Sequence, residues 1–291
     1  MKRVLLTLIW ILTATLIASA QTTFYYPHIA NGVLGPFIWK TTILLTNPSS
    51  ADTASGTITF TGDTSNLALA GAALSLTLTD ETGAPTTGST IPFSIPAGGT
   101  RKLVSNGGGQ YKGGFATVST TAGTVTGTAI FSEFDLAGNL VGEAGVPAAS
   151  ASARQAVFVD TQGGYSIGVA YANPGGGAAS VTLNLLNSSA AMVASTTQIL
   201  GTGNHVSTFT SQLFTSPGVP AVAGTMQIVS NSPLAAIALR FDPTLSKFTT
   251  LPPVTLASLI NPAIEWLQER PWLTPLSSIA RLLGGLQFRL G

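Results

Sequence analysis

Between Phe24 and Pro253 the chain never holds one helical period for long. Runs of β-branched and apolar residues give way to Gly, Pro, Asn, Asp and Ser about every 8–14 residues. Trp39–Thr46 stops at Asn47-Pro48, and Thr57–Phe60 stops at Gly62-Asp63. Thr100–Ser105 runs into the glycines 107–109, and Val125–Phe134 precedes Leu136-Ala-Gly-Asn139. No apolar stripe at i, i+3, i+4, i+7 persists across this region. Short strands at such spacing can bury a core only by pairing antiparallel and stacking sheet against sheet. The expected fold class is therefore all-β, as two tandem antiparallel β-sandwich (Ig-like) domains, with a short helical C-terminal tail.

The tandem arrangement comes from self-similarity. Trp39-Lys-Thr-Thr-Ile-Leu-Leu-Thr-Asn47-Pro48 aligns with Tyr165-Ser-Ile-Gly-Val-Ala-Tyr-Ala-Asn173-Pro174. Ser94–Arg101 aligns with Gln198–His205, Gly114–Phe131 with Gly224–Phe241, and Gly145-Val-Pro147 with Thr250-Leu-Pro252. The four matches fall in the same order in both copies. The first copy holds roughly 20 further residues between Asp63 and Pro92, which read as a hairpin from Leu74 to Thr79 turning at Asp80–Gly83. The expected domains are repeat 1 over 21–147, a small polar linker over 148–153, repeat 2 over 154–253 and the tail over 254–291.

Ahead of these lies a different kind of segment. Lys2-Arg3, an apolar run from Val4 to Ile17 and Ala18-Ser-Ala20 read as a signal peptide over 1–20, with a mature chain starting at Gln21. A spanning helix needs about 20 apolar residues, and Thr7, Thr13 and Thr15 dilute this shorter run. The expected location is thus secreted (extracellular, cell surface or periplasmic), with no transmembrane segment once the signal is removed. No cysteine occurs anywhere, which excludes disulfides, thiolate metal sites and cysteine nucleophiles.

"FYYPHIANG" with "WKTTILLTNPSS" (24–50), "IPAGGTRKL" (95–103), "GTAIF" with "EAGVPA" (127–148) and "SPLAAIALRFDP" with "FTTLPP" (232–253) carry a resemblance. Over about 24–253 the chain resembles a family of secreted bacterial proteins built of tandem β-sandwich repeats, without an assigned activity. The resemblance implies an exported β-sandwich and supplies no catalytic residue. The tail lies outside it.

Chemistry has little to work with. Charged residues make up 8% of the chain against about 25% in ordinary soluble domains, and two histidines accompany 11 carboxylates. With a net charge of +1 and no basic cluster, phosphate-backbone binding is excluded as the main activity, so no nucleic acid partner is expected. Gly164-Tyr-Ser166-Ile-Gly168 matches the nucleophile-elbow string, but strand residues follow Ser166 instead of a helix, and His205 precedes Asp242. The glycine-rich stretches 107–114 and 175–177 lack nucleotide-loop spacing.

Glu133, Asp135 and Glu143 form the one acidic cluster, in a strand–turn–strand segment whose register could set Glu133 opposite Glu143. Facing carboxylates would hold a hard cation such as Ca²⁺ or serve a glycosidase; a solvated hairpin tip is the plainer reading. His28 and His205 are too few for a metal site, and His205, mapped onto Arg101, reads as a solvent-facing residue. Phe24, Tyr25, Tyr26, Phe37, Trp39, Tyr111, Tyr165 and Tyr171 could stack on sugars, but the match of Trp39 to Tyr165 favours packing.

The tail carries Asn261-Pro262 and Thr274-Pro275, each a helix start, and Leu276, Ile279, Ala280 and Leu283 at helical spacing. A helix over 262–270 offers Ile264, Trp266 and Leu267. The expectation is docking onto the sandwich, with an amphipathic partner or membrane-surface role as the alternative. The functional expectation is a non-catalytic exported protein, acting as a surface, matrix or binding module for an extracellular or cell-surface partner, a glycan being one candidate. No catalytic, metal or cofactor residues and no cofactor are assigned. The alternative is a carbohydrate-active protein, either a sugar-binding module or a weak hydrolase.

Overall fold

The computed structural model describes residues 22–215 and 219–257. The expected signal peptide and both expected tail helices lie outside them. The described chain is all-β and antiparallel. Contacts gather the chain up to Thr255 into one compact unit.

The first half supplies eleven strands: β1 (Thr23–Leu34), β2 (Phe37–Thr46), β3 (Ala54–Gly62), β4 (Ala72–Ala73), β5 (Leu76–Asp80), β6 (Pro85–Gly88), β7 (Thr90–Ile95), β8 (Thr100–Ser105), β9 (Lys112–Ala122), β10 (Thr126–Asp135) and β11 (Leu140–Pro147). β1 joins two layers. Its start pairs with β9 (Phe24↔Val118), and its end, past an irregularity between Tyr26 and Ile29, pairs with β2 (Val33↔Ile38). β9 continues to β3 and β3 to β7, while β2 lies between β8 and β10, and β10 pairs with β11. The hairpin expected at Leu74–Gly83 forms as β5–β6, with Asp80 Oδ1 accepting the backbone N–H groups of Thr82 and Ala84.

The second half supplies β12 (Ser152–Asp160), β13 (Ser166–Ala172), β14 (Ala179–Asn187), β15 (Met192–Leu200), β16 (His205–Phe209), β17 (Ala223–Phe241), β18 (Phe248–Leu251) and β19 (Val254–Thr255). β17, 19 residues long, serves both layers. Its first part pairs with β12 and β14, its last part with β13 and β18. β14 pairs with β15, and β13 with β16.

Alternation puts the cores between the layers. β3 buries every second residue, Ala54, Ile58 and Phe60 among them, and β14 does so with Val181, Leu183 and Leu185. Burying a side chain of this size is worth roughly 1.5–3 kcal/mol. The first core does not stop at the midpoint of the chain: Leu239, Phe241 and Phe248 belong to it. Residues 148–153, expected as a linker, are tied down at Ala149, which exchanges two backbone hydrogen bonds with Tyr25, and Ser152 and Ala153 already lie in β12.

A buried asparagine secures one Asn-Pro turn in each half. Asn47 Nδ2 donates to the carbonyls of Asp52, Ile95 and Pro96, and its Oδ1 accepts Ser49 N–H. Asn173 Nδ2 donates to the carbonyls of Gly177, Leu200 and Gly201, and its Oδ1 accepts Gly175 N–H. Both side chains are shut off from solvent, so each replaces water for carbonyls that strands cannot pair.

Candidate functional site

The seam between the halves is built from the segment that only the first half has. Residues 64–71 lie along Gly201–His205. Asn204 Nδ2 donates to Thr64 Oγ1 and to the carbonyls of Asn66, Leu67 and Leu69, while Gly201 N–H donates to Leu67 and Gly71 N–H to Thr202. Behind this latch, Asp63 Oδ1 lies 2.6 Å from His205 Nδ1, and His205 Nε2 lies 3.3 Å from His28 Nδ1. The two imidazole rings stack at 16°. His205 is 1% exposed, which corrects the expectation of a solvent-facing residue: it packs between Asp63 and His28 behind the latch of the first half. Burial, and secondarily the neighbouring His205, hold the pKa of His28 down at about 3, against the opposing pull of Asp63. His205 thus joins Asp63 through Nδ1 and His28 through Nε2.

Next to His28 a cavity of about 530 Å³ opens between the halves. Trp39, Tyr111 and Phe131 border it from the first half, Phe209, Leu239 and Phe241 from the second. Trp39 stacks on Phe131 (4.7 Å, 22°), His28 meets the edge of Phe131 at 4.8 Å, and Phe209 meets Phe241 at 5.4 Å. The second half can approach this closely because β11 carries Gly142: a Cβ there would sit 2.7 Å from Ser246 O and 3.1 Å from the Phe248 ring. Ser207 and Tyr111, whose hydroxyl is pushed up to about 12 by burial and then by the charge of Asp63, add polar groups at one edge.

One carboxylate borders the cavity. Glu133 is 2% exposed, and its Oε2 has no hydrogen-bond partner among the described residues. Directly opposite it in the β2–β10 ladder stands Trp39, whose Nε1–H is likewise buried without a partner. Burial raises the Glu133 carboxyl to about 7. No lysine or arginine borders the cavity among the described residues. Lys40, the neighbour of Trp39 on β2, places its ammonium over the Phe134 ring.

The acidic trio expected around Glu133 is not assembled. In the observed register Glu143 lies opposite Ser132 and takes that hydroxyl's hydrogen bond, while Glu133 lies opposite Gly142. Successive residues of a strand face opposite ways, so Glu133 turns inward and Glu143 outward. Asp135 is spent on the turn, where its two oxygens accept the backbone and side-chain N–H groups of Asn139. No group of three or more metal-ligating side chains occurs among the described residues. Ser166 opens β13 after a short turn at Gln162–Gly164, so the elbow string is a strand start.

Sequence reasoning singled out Glu133, Trp39, Tyr111 and both histidines one at a time and did not bring them together. It missed Asp63, Phe209 and Phe248, which meet the others only through contacts between the halves. No family model, curated protein or solved structure matches the chain.

Proposed function

We propose that the chain is an exported, non-catalytic binding protein of two tandem β-sandwiches, and that the cavity between them is where it takes a small, largely apolar ligand. The tandem reading is supported by the pairings. β12–β17, β14–β17, β14–β15, β13–β16 and β13–β17 follow the same chain order as β1–β9, β3–β9, β3–β7, β2–β8 and β2–β10, and each copy has its own asparagine clamp. Export is supported by the leader pattern of residues 1–20 and by the resemblance to secreted repeat proteins.

One observation carries the ligand site: Glu133 Oε2 and Trp39 Nε1, an acceptor and a donor, are buried at the wall of an aromatic cavity with no partner among the described residues. Leaving a buried polar group unmatched costs roughly 1–3 kcal/mol, which a ligand bearing the complementary groups would recover. A cavity of this size and lining is of the kind that holds a small molecule. The carbohydrate alternative rests on the same rings, but Trp39 and Phe131 stack on one another and do not form a bare platform.

The test is a thermal-shift and ligand-observed NMR screen of the secreted protein against small apolar molecules and soluble glycans. Small apolar binders whose effect is lost in Trp39→Leu, with the fold intact by circular dichroism, support the proposal. Capture of glycans alone would move the assignment to the carbohydrate reading, and an empty screen would leave a structural part in a surface or matrix. An intact mass beginning at Met1 in secreted material would overturn the leader.

A further inference from the structure

We infer that the ligand is an organic cation: a hydrophobic ammonium whose N–H donates to Glu133, with an oxygen acceptor two carbons away for Trp39 Nε1. The inference rests on the cavity being the ligand site and adds the charge and the polar pattern of what fills it.

Three observations point the same way. Among the described residues bordering the cavity there is one carboxylate, a histidine whose charged form burial disfavours, and no lysine or arginine, so the side-chain charge there favours a cation over an anion. The acid is shut away from water with an oxygen that accepts no hydrogen bond among the described residues. A carboxylate held so is in want of a charge-assisted donor, the strongest kind of hydrogen bond available to it. The wall also carries the rings of Trp39, Phe131, Phe209, Phe241 and Tyr111 among aliphatic side chains, and aromatic rings attract an ammonium as well as an apolar body.

The other polar groups sort ligands further. His28, its pKa held at about 3 by burial, is neutral and does not repel a cation. An anion would meet Glu133 with no arginine or lysine to offset it and is disfavoured. A sugar would need many more donors and acceptors than Glu133, Trp39, His28, Tyr111, Ser207 and Gln212 supply. Trp39 Nε1–H stands opposite Glu133 in the ladder, so the ligand's acceptor should lie near its ammonium, as in an amino alcohol or amino amide.

The experiment compares phenylalaninol with 3-phenylpropan-1-ol, which lacks the amine and is otherwise the same, by calorimetric titration into the full mature chain at pH 8. The expected result is at least about tenfold tighter binding of the amine, with the preference abolished in Glu133→Gln while 3-phenylpropan-1-ol still binds that variant. Equal binding of both compounds to the wild type would overturn the cation inference and leave the cavity as an apolar ligand site. A preference that survives in Glu133→Gln would overturn it too, because the charge would be read elsewhere. If neither compound binds, both this inference and the ligand site fall. Unchanged unfolding midpoint and circular dichroism of Glu133→Gln at pH 5, where the wild-type carboxyl is protonated, exclude misfolding as the cause.

Discussion

Asn47 and Asn173 hold the same turn in the two halves with the same four hydrogen bonds, whereas Arg101 and His205, matched in the same alignment, live in opposite surroundings. Arg101 stays at the surface and pairs with Asp80 and Glu81 of the β5–β6 hairpin. His205 is enclosed and pairs with Asp63 and His28. A buried amide closing a turn depends on its own half alone. The side chain at a strand start depends on what the other half lays over it, and only the first half has a segment to lay. A second contrast repeats the lesson. Trp39 stands opposite an unpartnered acid, while its counterpart Tyr165 lies 3.4 Å beneath Arg240, which is already paired with Asp160. The chemistry of the seam belongs to the places where the halves differ.

The clamps give the sharpest test of the likeness. Asn47→Ala and Asn173→Ala should each destabilise the protein by about 3 kcal/mol, since each strands several buried backbone groups. Urea unfolding would show it, and a silent substitution in one half alone would break the comparison.

The contrast at the matched positions predicts unequal losses. His205→Ala strips the buried His28 and the more exposed Asp63 of their partner and should cost about 2 kcal/mol. Arg101→Ala, at an exposed pair of acids, should cost less than about 1 kcal/mol. Equal losses would mean that the latch over His205 contributes nothing.

One further effect has the opposite sign. Glu133 has its folded pKa raised to about 7 from an ordinary 4.5, so the folded protein keeps a proton that the unfolded chain releases between those values. It therefore lowers stability above pH 7, and that penalty fades as pH falls toward 4.5. Glu133→Gln should gain stability at pH 8, by up to roughly 3 kcal/mol, and next to none at pH 4.5. His28 works the other way: with a folded pKa near 3 against 6.5, it withdraws stability as pH falls from 6.5 toward 3. A stability maximum between those flanks, moved to higher pH by Glu133→Gln, is the expected pH profile.

Strand rhythm and turn chemistry were legible because they are local. Asn47-Pro48, Asp80–Gly83 and Leu136–Asn139 each carry their instruction within a few residues, and the hairpin β5–β6 forms where Leu74–Gly83 placed it. Register was legible only to within a residue. An irregularity between Glu133 and Phe134 shifts β11 by one, and a shift of one turns Glu143 from facing Glu133 to facing away. The seam was illegible. Asp63 and His205 are 142 positions apart, and nothing in the local pattern of either distinguishes a buried relay from two loop residues. The apolar runs of β10 and β17 do not reveal that Phe131 and Phe241 serve one shared cavity wall.

The pairing of β1 with β9 has a consequence for the order of assembly. As the chain is made from its N-terminus, every strand from β1 to β11 finds its partners within residues 23–147, and some of those contacts span nearly a hundred positions, as Thr23↔Ser119 does. Closing loops of that length is slow compared with helix formation. The first half can therefore complete its ladders before the second half exists, yet its inner wall of His28, Trp39 and Phe131 stays bare until Phe209, Phe241 and Phe248 arrive. A first half folded ahead of the second would present that wall as a sticky face, open to a chaperone or to a second unfinished chain.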